Sequence, residues 1–312
     1  MRIVVLGDSI MWGQGNKPED KFTTLVSQAL HVDPADENQF QSFAHSGATI
    51  ARTANDSNEQ WGEVPESGPS ILAQLDRAET SLQQRDQVDL VLLNGGINDV
   101  SVFSIVVAVP FDPAAKAALQ AKTENVFRVR FPAMLQRARQ VFPKARIVVP
   151  SYYPVISSAT DPGQLVQLLK HLQPGGSQAR FADDILEHLA DDAMAAAITV
   201  DHEAMVDQCQ LFDTVSRSLM QQALAQIPNT CFAPIPWADE FSFAAPQTLL
   251  WAGSDDPLHE DRVDAYAEQL KINPFAWPLY TPIASICHPS DKGAKTFATA
   301  ILQALEVPAA AP

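Results

Sequence analysis

The chain has no run of the roughly 18–20 apolar residues that a transmembrane helix needs. Basic residues are scarce. Lys and Arg together number 21 against 37 Asp and Glu, a formal charge of −16. That balance argues against a nucleic-acid backbone as partner, because such binding is driven by cations that displace counterions. Cysteines are three, Cys209, Cys231 and Cys287, too few for a disulfide scaffold and without metal spacing. A Cys209–Cys231 bridge, which would favour an exported protein, and a pair of inert thiols both stay open. Metal-site signatures are missing too. His31, His45, His171, His188 and His202 are scattered, and no His-Glu-x-x-His occurs. There is no Walker sequence, and Gly13-Gln14-Gly15 lacks the third glycine of a dinucleotide cradle. No cofactor or catalytic metal is implied. The first apolar run starts at residue 2, which leaves no room for a leader. The expectation is a cytoplasmic protein, or an exported one whose leader was replaced by an initiator methionine.

What is present reads as one α/β domain over residues 1–306 with a tail at 307–312. Arg2 to Leu6, Phe40 to Ala44, Asp89 to Asn94 and Arg146 to Pro150 are short aliphatic runs of the kind buried in parallel sheets. Helical periodicity lies between them, in Ile71 to Leu82 and in Val126, Val129, Ala133, Met134, Ala138 and Val141. It returns from Asp161 to about Ala225, broken by Pro-Gly-Gly at 174–176, and from Asp291 to Leu305. Alternating strands and helices predict a doubly wound parallel sheet between helical layers. The stretch 227–280 carries seven prolines and nine aromatics, among them Phe275, Trp277 and Tyr280, and is expected to be an irregular insertion.

The first apolar run ends at Gly7-Asp8-Ser9. The carboxyl end of a strand is where an open α/β sheet places its chemistry, so Ser9 is a candidate nucleophile. Asp8, its neighbour, points elsewhere and reads as a residue that orders the loop. After the second strand comes His45-Ser46-Gly47-Ala48, and after the third Asn94-Gly95-Gly96-Ile97-Asn98-Asp99. The Gly47 N–H and the Asn98 amide are donors suited to the negative oxygen of a tetrahedral intermediate. Before the last helix, in Cys287-His288-Pro289-Ser290, His288 can serve as a base.

Taken in order, Gly7-Asp8-Ser9, Gly47, Gly96-Ile97-Asn98-Asp99 and His288-Pro289 resemble the four blocks of the GDSL-type, or SGNH, serine hydrolases. The resemblance runs from residue 2 to about 305. It implies a three-layer α/β/α fold with a flavodoxin-like parallel sheet, and an esterase or lipase that works through an acyl-enzyme. It makes Ser9 the nucleophile and His288 the base, with the oxyanion hole formed by the N–H groups of Ser9 and Gly47 and the side chain of Asn98. Substrates would be small-molecule or lipid esters; acetylated carbohydrates, or a catalytically idle binding module on the same fold, are the alternatives.

One position departs from the family pattern. Members usually carry an aspartate three residues before the histidine, and here it is Ser285. The Ser285 hydroxyl, a backbone carbonyl, or a carboxylate recruited from Asp255 or Asp256 could orient the imidazole. Asp256 and His259 have the Asp-x-x-His spacing themselves, which makes His259 a rival base. Met11, Trp12, Phe103, Ile105, Val106, Val107 and Val109 read equally well as an apolar acyl pocket and as core beneath the site.

Overall fold

The computed structural model describes residues 1–57, 62–63, 68–106, 113–165, 191–253, 255–272 and 284–306. Its sheet has five parallel strands, β1 Ile3–Leu6, β2 Phe40–Ser42, β3 Leu90–Leu93, β4 Arg146–Pro150 and β5 Thr230–Ala233, in the order β2-β1-β3-β4-β5. Ile3 stands between Phe40 and Leu90, and Leu90 is in turn level with Arg146. The three central strands are aliphatic nearly throughout because both of their faces are covered. β2 and β5 are edges, shorter or more polar and half exposed. This order places the reversal of winding between β1 and β3, so the loops that follow those two strands open the crevice where ligands of such sheets bind.

The helices form two layers. On one side α2 (Phe22–Ala29) packs against the last helix, α10 (Asp291–Ala304), with Phe22 and Phe297 at 5.2 Å between ring centroids. On the other lie α3 (Ile71–Ser81), α6 (Pro113–Asn125), α7 (Phe131–Val141) and α8 (Asp191–Leu224). α3 begins where the Ser70 hydroxyl accepts the Ala73 N–H, and it buries Ile71, Leu75 and Ala78. Short helices α1 (Ser9–Trp12), α4 (Ile97–Val100) and α5 (Val102–Val106) follow β1 and β3.

Two expectations need correction. Val129, placed on the apolar face, is 60% exposed. Residues Val126–Arg130 form a π turn, whose wider winding shifts the phase so that Phe127 and Phe131 point inward instead. The stretch 227–280 is not irregular throughout, since it holds β5 and α9 (His259–Ile272). β5 was hidden by its four-residue length and by Pro228 and Pro234 on either side, which an edge strand tolerates. α9 was hidden because its inward position is occupied by Arg262, fully buried, while Val263 faces out. Residues 166–190 and 273–283, with His171, His188 and the aromatics Phe275, Trp277 and Tyr280, lie outside the described residues, as does the 307–312 tail.

Candidate active site

β1 delivers Ser9 through a turn that only glycine permits. Gly7 has φ +145°, and a Cβ there would stand 2.5 Å from the Asn94 carbonyl oxygen and 2.4 Å from Met11 Cγ. The buried Gln74 amide grips both sides of the same glycine, accepting the Gly7 N–H at 2.8 Å and donating to its carbonyl at 3.0 Å. Asp8 then caps α1: one carboxylate oxygen accepts the Ile10 N–H at 3.0 Å. The other accepts the Tyr152 hydroxyl at 2.8 Å, and that hydroxyl accepts the Ile97 N–H at 3.2 Å. A single phenol thus ties the turn after β1 to the start of α4. Burial pushes the Asp8 carboxyl up to about 6, with the Tyr152 bond pulling it back down. Ser9 is the first residue of α1, so its N–H is one of the donors that a helix leaves unused.

The loop after β2 is seated on this turn by the His45 N–H, which donates to the Gly7 carbonyl at 3.0 Å. Gly47 follows at φ +77°, a conformation that favours glycine. From α4, the Asn98 amide donates to the Ala48 carbonyl at 3.0 Å, which fixes its plane and leaves a second N–H. Asp99 holds the same loop, accepting the Ile50 N–H at 2.7 Å and the Arg130 guanidinium at 2.7 Å. Ser9, Gly47 and Asn98 therefore come from three strand ends that are cross-bonded to one another.

His288 arrives from the far end of the chain. Its Nε2 is 2.7 Å from the Ser9 hydroxyl oxygen. Its Nδ1 faces two backbone carbonyls, Ser285 and Ile286, each at 3.2 Å. Burial pushes the imidazole down to about 4, while the two carbonyls pull it back up. The ring is therefore neutral at ordinary pH, and its conjugate acid gives up a proton readily. The 284–290 loop is held by Gln14 donating to the Ala284 carbonyl at 2.6 Å and Asn16 to the Pro289 carbonyl at 2.7 Å. Trp251 adds two backbone bonds, to His288 and Cys287, and the Tyr153 hydroxyl donates to the Cys287 carbonyl at 2.8 Å.

The residues expected to orient the imidazole stand differently from one another. Ser285 presents its carbonyl to Nδ1, and its hydroxyl turns away to donate to Asp256 at 2.6 Å. Asp256 is thus one side chain removed from the ring. Its carboxylate lies against the Arg262 guanidinium, at 2.6 and 2.7 Å. Asp255 is exposed. His259 opens α9, with its N–H on the Asp256 carbonyl, and it is His288 that meets Ser9. Met11, Ile105 and Val106 belong to the core beneath the site. Trp12 is partly buried, with its indole N–H on Glu63. Val107, Val109 and the Phe103 side chain lie outside the described residues. All three cysteines are free thiols; Cys209 faces the Ile105 carbonyl and Cys231 the Ala304 carbonyl, so they form no bridge.

Several supporting residues escaped the sequence reading. Gln14 and Asn16 carried a faint signal, two amides alternating with glycines just after the candidate serine. Gln74, Glu63, Tyr152 and Arg262 carried none. Among the described residues no group of three or more histidine, cysteine or acidic side chains is placed to hold a metal, and no helix is long and apolar enough to cross a membrane.

The model of the GDSL-like Lipase/Acylhydrolase family matches residues 5–197. No curated protein sequence matches the chain. Among solved structures, an extracellular lipase from Streptomyces rimosus is 16% identical, with 97% of this chain and 99% of that one covered at a TM-score of 0.48. Lipase Lip_vut3 from a goat rumen metagenome is 12% identical, with 97% of each chain covered and a TM-score of 0.46. Phospholipase A1 from Streptomyces albidoflavus is 16% identical, with 96% and 97% covered and a TM-score of 0.45.

Proposed function

The chain belongs to the GDSL-like lipase/acylhydrolase family and is an ester hydrolase, and from that premise we propose that it cleaves acyl or lipid esters through an acyl-enzyme on Ser9. The observation that carries this reading is the 2.7 Å contact between the Ser9 hydroxyl and His288 Nε2. His288 takes the hydroxyl proton as Ser9 attacks the ester carbonyl. The new oxyanion is met by the Ser9 and Gly47 N–H groups and the free N–H of Asn98, donors that need no rearrangement as charge develops. The imidazolium then protonates the leaving alkoxide, and the alcohol departs. Water enters, gives a proton to His288 and attacks the acyl carbon; the acid leaves and Ser9 regains its proton. The developing imidazolium is supported by the Ser285 and Ile286 carbonyls in place of a carboxylate. Carbonyl dipoles fix the tautomer as an aspartate would, with less charge to offset.

A panel of p-nitrophenyl esters from two to sixteen carbons, together with an acetylated xylan, tests the reading on wild type and Ser9→Ala. Turnover of the acyl esters that Ser9→Ala abolishes supports it. Unchanged turnover in Ser9→Ala overturns the nucleophile, activity confined to acetylated sugar moves the substrate to carbohydrate O-acetyl esters, and an inert wild type returns the chain to a binding module.

A further inference from the structure

We propose that Arg262 is a positioning residue for the Ser9–His288 pair, joining nucleophile helix and base loop through one buried ionic network. The inference rests on the reading of those two residues given above. The network starts beside the nucleophile. The Trp12 indole N–H, on α1, donates to one Glu63 oxygen at 2.5 Å, and the Gly15 N–H donates to the other at 2.7 Å. That second oxygen also accepts from the Arg262 guanidinium at 3.1 Å. Arg262 then forks onto Asp256, with one nitrogen on both carboxylate oxygens and the other at 3.0 Å. Asp256 accepts the Ser285 hydroxyl, and the carbonyl of that same Ser285 faces His288 Nδ1. The side chains of Glu63, Arg262 and Asp256 are fully buried.

Such an arrangement is a poor way to gain stability, because desolvating three charges offsets most of their attraction and apolar residues would serve as well or better. What it does supply is geometry. A guanidinium is planar, always charged and matched to two carboxylates at once, whereas an ammonium is a point charge on a flexible stem. Each carboxylate is bonded to a different segment, one to the helix that carries Ser9 and one to the loop that carries His288. The fork between them therefore sets how far apart those segments stand. The Lys21 ammonium, 3.7 Å above the Trp12 ring, adds a second positive charge near Glu63 and balances the pair of carboxylates.

The test compares Arg262→Met, Arg262→Lys, Ser285→Ala and the charge-free Glu63→Gln/Arg262→Met/Asp256→Asn triple in the full chain. The substrate is a p-nitrophenyl ester that wild type hydrolyses, and rates are normalised to sites titrated with a fluorophosphonate. Misplacement of a reacting pair by about 1 Å costs on the order of 10²-fold. Arg262→Met and the triple are expected to lower kcat by about that factor with KM within about twofold, and Arg262→Lys to recover part of the loss. Ser285→Ala, which breaks one link, should lose about tenfold. If Arg262→Met fails to fold, the triple and Ser285→Ala decide the matter. Wild-type kcat per titrated site in the triple, or a change in KM alone, overturns the proposal. Ser9→Ala is assayed alongside: if it stays active the nucleophile reading has failed, and if it is inert while the network variants run at full speed only the role of Arg262 has.

Discussion

Replacing Tyr152 by Phe isolates one oxygen atom that joins two parts of the site. The ring is fully buried, 5.5 Å from Phe212 and 6.3 Å from Phe127 between centroids, and phenylalanine keeps that packing. What disappears is the donor to Asp8 and the acceptor of the Ile97 N–H. A buried N–H left without a partner costs about 1–3 kcal/mol, and a hydrogen bond to a charged group is worth about 1.5–3 kcal/mol. Since the two losses share one atom and do not simply add, the variant should be about 3 kcal/mol less stable near neutral pH. The deficit should also depend on pH. Asp8 has a raised pKa in the fold, so the native state holds a proton that the unfolded chain has shed, and this group's contribution to stability falls as pH rises from about 4 to about 6. The Tyr152 bond lowers that pKa, so without it the window extends upward and the variant loses more as pH rises further. Urea unfolding followed by fluorescence at pH 5 and pH 8 measures both effects, with the larger deficit expected at pH 8. A difference under about 0.5 kcal/mol, or one equal at the two pH values, would refute the reasoning, because surface-like changes have that size.

Asn98→Ala should lower kcat by about 10²-fold or more with little change in KM, as loss of an oxyanion donor does; steady-state kinetics on a short p-nitrophenyl ester check it, and a loss confined to KM would assign Asn98 to ground-state binding. In the proposed mechanism the His288 imidazole must be neutral to take the Ser9 proton, and burial lowers its pKa to about 4, so kcat/KM should hold as pH falls through 6 and collapse only near 4. Activity measured from pH 3.5 to 8 on enzyme whose circular dichroism stays native tests this, and an acid limb near 6.5 would contradict the burial argument.

Much of the fold was legible because it is written locally. β1, β3 and β4 are aliphatic runs with turn formers at their ends, and α3 and α10 announce themselves by apolar residues every three or four positions. Gly7, Ser9, Gly47, Asn98 and His288 could be named for a similar reason: each stands at a strand or helix end, where a polar residue has no packing duty to explain it. β5 failed the same test because four residues between prolines resemble a turn. The phase slip at Val126–Arg130 was invisible, since nothing in those five side chains distinguishes a π turn from an α turn.

The support of the site was hidden for a deeper reason. Periodicity assigns inward positions to apolar residues, because burial of an unpaired charge is costly. At Arg262 that logic points the wrong way. The charge is tolerable inside only because Glu63, 199 residues earlier, and Asp256 meet it there. Neither partner is marked as such in its own neighbourhood: Glu63 lies in a polar loop and Asp256 beside an exposed aspartate. Ser285 completes the case. With the usual carboxylate missing from position 285, the sequence leaves the Ser285 hydroxyl, a backbone carbonyl and a recruited Asp255 or Asp256 as alternatives for holding the imidazole. A hydroxyl could accept the Nδ1–H just as a carbonyl does, but the Ser285 side chain is drawn to Asp256, the charged acceptor that Arg262 holds. The hydroxyl therefore goes to Asp256, and the backbone carbonyl of the same residue is left to face His288. The chemistry at position 285 follows from a charge pair that the local sequence does not contain.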